Sequence, residues 1–274
     1  MKTILVPTDF SKAAHNAIDY AAEIAKLTKA KLILFHVYHV PVVPSEVPIV
    51  PSMDEMEKNS LDGLKKIERN IHLKHGNKFA VECKCRCGFP VDEINLFTEE
   101  NKIDLIVMGM EGTGYLTEKL IGSVTTSLIK KAKCPVLAID KYVKFRSIKK
   151  IVLACDYTET NNKSILNPLK EFANLFKSHI YVLNVVRELE TIPTINEAVA
   201  GIKLDHLLEG VNHSFHYAKS EDVIEGINDF VEEKKIDMVI MIPRMHTALQ
   251  NLFHEPNTKR MAFHTKVPLL TLHD

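Results

Sequence analysis

The chain has 274 residues, with 35 lysines and arginines balanced by 35 aspartates and glutamates and 46% hydrophobic residues. That length suits two domains of about 140 residues, each able to bury an ordinary core, and zero formal charge gives no electrostatic basis for binding nucleic acid or an anionic membrane. No stretch approaches the roughly 18 to 20 uninterrupted apolar residues of a membrane span, and the first residues enter a strand without a basic leader, so a cytoplasmic protein is expected.

Apolar strand-like runs alternate with helical patterns through the first half, as in a parallel sheet covered on both faces. Residues 2–6 form the first predicted strand. Ala14, Ala17, Ile18, Ala21, Ile24, Ala25 and Thr28 then fall on one helical face, and 31–37 form the second strand. Pro41, Pro44, Pro48 and Pro51 exclude helix and central strand. That loop is a spacer, a flap over a site, or a polyproline surface. A helix over 54–75, a strand over 79–86, a helix over 91–101, a strand over 103–108, a helix over 124–131 and a strand over 136–139 follow. The second half repeats the order, with strands at 150–154, 179–186, 211–217, 238–242 and 269–272. A basic connector, 141–150, joins them.

The chain repeats itself. Ile103-Asp104-Leu105-Ile106-Val107-Met108 is echoed by Ile236-Asp237-Met238-Val239-Ile240-Met241, and Lys133-Cys134-Pro135-Val136-Leu137 by Lys266-Val267-Pro268-Leu269-Leu270, both 133 positions on. The opening Ile4 to Ser11 is matched by Ile151 to Thr158 at an offset of 147, so the second copy is 14 residues shorter between its second strand and third helix. The expected domains are 1–142 and 147–274.

Gly109, Gly112 and Gly122-Ser123 stand at the spacing G-x2-G-x9-G-S directly after the 103–108 strand. Glycines where a strand gives way to a helix let backbone approach a ligand, and the open amides of the helix favour an anion such as a phosphate chain. The second copy has Ile242, Met245, Glu255 and Pro256 at these four positions, which removes the cradle. One working and one vestigial site are expected, with Gly109→Ile abolishing binding and leaving the fold intact. In an open parallel sheet, ligands bind beyond the carboxyl ends of strands where the winding reverses. If strands one and four are neighbours, Pro7-Thr8-Asp9 and the glycine loop converge there. Asp9 either contacts the ligand or caps the following helix.

The opening Met1 to Ser11, the central Gly88-Phe89-Pro90 and Asp104 to Gly109, and Gly122-Ser123-Val124-Thr125 with Cys134-Pro135-Val136-Leu137 together resemble the universal stress protein family. The likeness is close over 1–140 and looser over 148–274. It implies two tandem copies of an open five-stranded parallel-sheet α/β domain, Rossmann-like and of the adenine-nucleotide-binding kind. It also implies a protein that binds ATP with magnesium in its N-terminal copy. Pro7, Thr8 and Asp9 would cradle the adenosine end with Val37 nearby, Met108, Gly109 and Gly112 would line the loop, and Gly122, Ser123, Val124 and Thr125 would hold the phosphates. Met110-Glu111 departs from the small or basic residues common there; Lys119 or Lys130 would offset the carboxylate. The resemblance further implies a built-in pseudo-dimer, with a homodimer as the other arrangement. The sequence offers no obvious base beside the glycine loop, no Walker lysine motif and no pyrophosphatase loop, so a regulatory binding module is expected. A slow ATPase, or a scaffold using an apolar C-terminal crevice of Ile242, Met245 and Phe253, is the alternative.

Cys83, Cys85 and Cys87 alternate on the third strand and share a face. They could hold a metal, though a strand row lacks the C-x2-C turn of zinc sites. Five cysteines, an odd number, suit a reducing compartment. His213 and His216 are expected at the surface, and His72-Leu73-Lys74-His75-Gly76 at a helix end.

Overall fold

In a computed structural model of the chain, the description covers residues 1–39, 52–110, 123–155, 164–186, 195–242 and 267–273. They gather into two compact units, the first built principally from residues up to Phe145 and the second from Arg146 onward. The first unit runs β1 (Thr3–Pro7), α1 (Lys12–Thr28), β2 (Lys31–Tyr38), α2 (Met53–His75), β3 (Val81–Cys87), α3 (Pro90–Asn101), β4 (Leu105–Gly109), α4 (Ser123–Lys131) and β5 (Val136–Ile139). Its strands lie in the order β3-β2-β1-β4-β5. The second unit runs β6 (Lys150–Ala154), α5 (Asn167–Phe176), β7 (His179–Val186), α6 (Ile195–Leu207), β8 (His213–Lys219), α7 (Val223–Lys234), β9 (Met238–Met241) and β10 (Leu269–Thr271). Its order, β8-β7-β6-β9-β10, is the same. The pairs β1–β2, β1–β4 and β2–β3, and β6–β7, β6–β9, β7–β8 and β9–β10, are all parallel. The expected fold class, a tandem α/β protein of two open five-stranded sheets, is the observed one.

Parallel strands roofed on both faces must be apolar throughout. Ile4, Leu5, Val6, Leu105, Ile106 and Val107 are accordingly buried, as are Ile151, Val152, Leu153, Val239 and Ile240. The alanine face of α1 is buried as the periodicity predicts, except that Thr28 at its end is half-buried. Strand ends differ from expectation by one or two residues. β8 begins at His213 rather than 211 because a turn occupies the preceding residues: Gly210 has a φ of 87°, and Val211 N–H donates to Leu208 O. Most of the shortening of the second copy falls in one helix, 23 residues long in α2 and 13 in α6.

The repeat extends to hydrogen bonds and caps. The Asp104 carboxylate accepts from the Lys2 and Thr3 amides, and Asp237 accepts from the Lys149 and Lys150 amides at 2.8 and 2.9 Å. Each aspartate pins the start of its unit's central strand to the strand it precedes. Helices α1 and α5 end on Lys29 and Lys177, and α3 and α7 on Lys102 and Lys235, all four in the left-handed region. Asp104→Ala and Asp237→Ala are each expected to lower stability by about 1.5 kcal/mol, since a charged acceptor is removed from two strand amides. Urea unfolding of each variant measures this, and unchanged midpoints would contradict the clamp.

The five cysteines are free of disulfides. Cys83 lies 3.7 Å from Glu68 of α2, and burial, then that carboxylate, pushes its thiol up to about 12; burial also raises Cys85. Both thiols pack beneath α2. His72 to His75 close α2 as expected, with Gly76 N–H donating to His72 O. Among the described residues no helix is long and apolar enough to cross a membrane.

Candidate functional site

β1 lies between β2 and β4, so β2 and β3 follow it to one side and β4 and β5 stand on the other. The winding reverses between β1 and β4, and the crevice that such a reversal opens lies beyond their carboxyl ends. The register sets Leu5 against Ile106. Pro7 and Met108, each two residues further along, therefore lie side by side near the ends of strands about 4.8 Å apart. The adjacency on which the sequence argument depended is present.

After Pro7 the chain makes a tight turn. Thr8 is buried, its N–H donating to Phe35 O, while its Oγ1 accepts from Phe10 N–H at 3.0 Å. Asp9 is exposed, and its Oδ1 accepts from Ser11 N–H at 3.0 Å. Ser11, not Asp9, is the N-cap of α1, accepting from Ala14 N–H at 3.1 Å. Capping is thus removed from the roles open to Asp9. Val37 is half-buried on β2. The Phe35 ring packs against Phe97 of α3, centroids 4.5 Å apart, so Val37, two residues on, shares the α3 face.

Gly109 ends β4 against α1. A Cβ there would lie 2.7 Å from the Ala13 carbonyl carbon and 2.9 Å from its oxygen. The close approach that requires glycine is that of a helix, and the expectation that Gly109→Ile spares the fold is therefore corrected. Thr125 is buried, its hydroxyl donating to Gly109 O at 2.7 Å, which ties α4 to the end of β4. Met110 N–H donates to Ile139 O. Ser123 is exposed as the first residue of α4 and Val124 is half-buried. Gly112 and Gly122 lie outside the described residues, as do Glu111, Lys119, the proline loop 41–51, Asp156, Met245, Phe253, Glu255 and Pro256. Among the described residues no group of three or more histidines, cysteines or acids could hold a metal ion.

The donor set fits a nucleotide. Asp9 can accept from sugar hydroxyls or help hold a magnesium ion, Pro7, Val37 and Met108 are apolar, and Ser123 opens a helix whose first amides favour anions. Sequence reasoning missed the groups behind the Thr8–Ser11 turn. His36 Nδ1 lies 2.7 Å from Thr8 O, and the Phe10 ring packs on His36 and on Gly63 of α2. Only the capping preference of Ser11 was there to be read.

In the second unit, the β7 register places Asn184 where β2 has His36. His213 and His216, expected at the surface, are half-buried. His213 Nε2 pairs with Asp205 of α6 at 2.9 Å, its side chain 15% exposed. His216, on the opposite face, packs on Tyr181 and on Phe230 of α7. Ser214 Oγ lies 2.8 Å from both His179 Nε2 and His216 Nε2. Burial, then His213, holds His179 below its ordinary value; burial, then Lys234 and His179, does so for His216. Burial likewise lowers His75 in the first unit, against the pull of Glu23. The unfolded chain takes up these protons near pH 6.5 and the folded chain only below it, so their contribution is intact above about pH 6.5 and is lost as the pH falls further. His206, raised by its hydrogen bond to Glu209, opposes this but is fully exposed. The urea midpoint is expected to drop from pH 7 to pH 5, and the His179→Gln, His216→Gln double variant to flatten that drop. Parallel profiles would contradict the assignment.

The fold is that of a doubly wound α/β protein in two copies, with the winding of the first reversing between β1 and β4. Residues 1–140 match the model of the Universal stress protein family. A universal stress protein of Methanocaldococcus jannaschii is 36% identical over 143 residues, covering 51% of this chain and 82% of that protein. A second from the same organism is 29% identical over 160 residues, covering 51% and 95%. The crystal structure of a universal stress protein from Archaeoglobus fulgidus DSM 4304 shares the fold over 98% of this chain and 95% of its own, with 18% identity and a TM-score of 0.71. The chain belongs to the universal stress protein family.

Proposed function

We propose that the protein binds ATP with magnesium in its N-terminal copy, at the carboxyl edge of β1 and β4, and works in the cytoplasm as a nucleotide-responsive regulatory module in stress response. The observation that carries this reading is the neighbouring exit of Pro7-Thr8-Asp9 and Met108-Gly109 from adjacent strands, with Ser123 opening the helix that follows. The phosphates would lie toward Gly112, Gly122, Ser123 and the start of α4, and the adenosine toward Asp9 and Val37. The C-terminal copy, 147–274, with Ile242 in place of Gly109, would serve as a built-in pseudo-dimer partner to the 1–142 copy and not as a second ATP site. Binding of ATP without phosphate release above a buffer control supports a regulatory module; release that disappears in Asp9→Ala would make the protein a slow ATPase instead.

A further inference from the structure

Phe10 has a φ of 61°. Among the described residues it is the one non-glycine residue in the left-handed region that is not a helix C-cap. A bulky side chain rarely adopts that conformation, and such outliers persist only where their surroundings over-determine them. The surroundings here are specific. A carbonyl oxygen only accepts, so the 2.7 Å contact between His36 Nδ1 and Thr8 O is an N–H donated by the imidazole, which fixes its tautomer. The His36 ring lies 4.6 Å from the Phe10 ring, tilted by 46°. The Phe10 ring also sits so close to α2 that a Cβ at Gly63 would be 3.0 Å from two ring carbons. Phe10 N–H and Ser11 N–H are taken by the side chains of Thr8 and Asp9 within the same turn.

We propose that His36 is a positioning residue for the nucleotide site: through Thr8 O and the Phe10 ring it holds the Thr8–Ser11 turn in the one form that sets Asp9 at the crevice. The inference rests on the ATP reading for its functional consequence, and on geometry alone for the turn. Without the imidazole donor, Thr8 O is released from β2 and Phe10 loses the ring that faces it. Only the Thr8 and Asp9 side-chain bonds within the turn and the contact with Gly63 then offset the left-handed φ, and the turn relaxes into a set of conformers in which Asp9 no longer has one direction. Gly63 acts on the same turn from α2: a methyl group at that position would meet the Phe10 ring.

The test uses the full chain with three substitutions. His36→Asn keeps a donor nitrogen close to the Nδ1 position and copies Asn184 of the second unit; His36→Leu keeps bulk and removes the donor; Gly63→Ala crowds the Phe10 ring. Two readouts are taken: magnesium ATP affinity by calorimetry, and hydrogen exchange of the Phe10 and Ser11 amides without nucleotide. His36→Leu and Gly63→Ala are expected to weaken ATP about tenfold, the scale of one well-placed hydrogen bond, and to speed exchange at both amides. His36→Asn is expected to stay within about threefold of the wild type on the same scale. Unchanged exchange at Phe10 and Ser11 in His36→Leu overturns the proposal, as do equal losses of affinity in His36→Asn and His36→Leu. Faster exchange in a protein whose wild type binds no ATP would leave the positioning role standing and remove the ATP reading.

Discussion

Gly109→Ile is expected to disrupt the packing of the first unit rather than to leave an intact fold with an empty site. The atoms that a side chain would meet are the Ala13 carbonyl carbon at 2.7 Å, its oxygen at 2.9 Å and its Cβ at 2.9 Å. Two of these are backbone atoms in the first turn of α1, which cannot rotate away. The helix itself cannot retreat without lifting the buried Ala17, Ile18 and Ala21 from the sheet. Overpacking a fitted core costs about 1–3 kcal/mol, so Gly109→Ala alone is expected to lose about 3 kcal/mol and Gly109→Ile more. The second copy tolerates Ile242 in a different setting: α5 starts at Asn167, eight residues later than the offset of 147 would place the start of α1. Thermal unfolding reads the effect directly, and a wild-type midpoint for Gly109→Ala would show that α1 and β4 are not in this contact.

Asp9→Ala is expected to reduce magnesium ATP affinity by about tenfold or more, with a smaller loss when magnesium is absent, because the carboxylate would serve both sugar hydroxyls and the ion. Ser11 caps α1, so the helix keeps its N-terminal partner in this variant. Its Tm should therefore fall little beyond the loss of the single acceptor for Ser11 N–H. Ser123→Ala, which removes an exposed hydroxyl from the start of α4, is expected to act on affinity in the same direction and less strongly. Asp156→Ala in the second copy is expected to leave affinity unchanged. Calorimetric titration of the three variants checks the order, and equal effects from Asp9→Ala and Asp156→Ala would place the ligand elsewhere.

The central strands were legible because parallel strands under two layers of helix, β1, β4, β6 and β9 among them, have no polar face. The run at 103–108 and its echo at 236–241 could be read as buried before any neighbour was known, and Asp104 and Asp237 could be matched by position. Their role as acceptors for the first-strand amides could not, since a carboxylate before a strand looks the same whether or not an adjacent strand begins beside it. Gly109 illustrates the same limit. Glycine marks a close approach, and the sequence does not say whether a phosphate or a helix approaches; here Ala13 is the near neighbour. Thr125 carries a hydroxyl of the right type beside the glycine loop, yet that hydroxyl donates to Gly109 O. His213 and His216 are three positions apart on one strand and so lie on opposite faces, one under α6 and the other under α7. Whether those faces are covered depends on helices far along the chain. The Thr8–Ser11 turn depends on His36 and Gly63, residues on β2 and α2 that local pattern cannot connect to it.

The central claim is that ATP binds once per chain, at the first copy. Calorimetric titration of magnesium ATP into the intact protein, stripped of co-purified nucleotide, tests it most directly. One site per chain, lost or much weakened in Asp9→Ala, is the predicted result; no heat of binding, or two equivalent sites per chain, would contradict it.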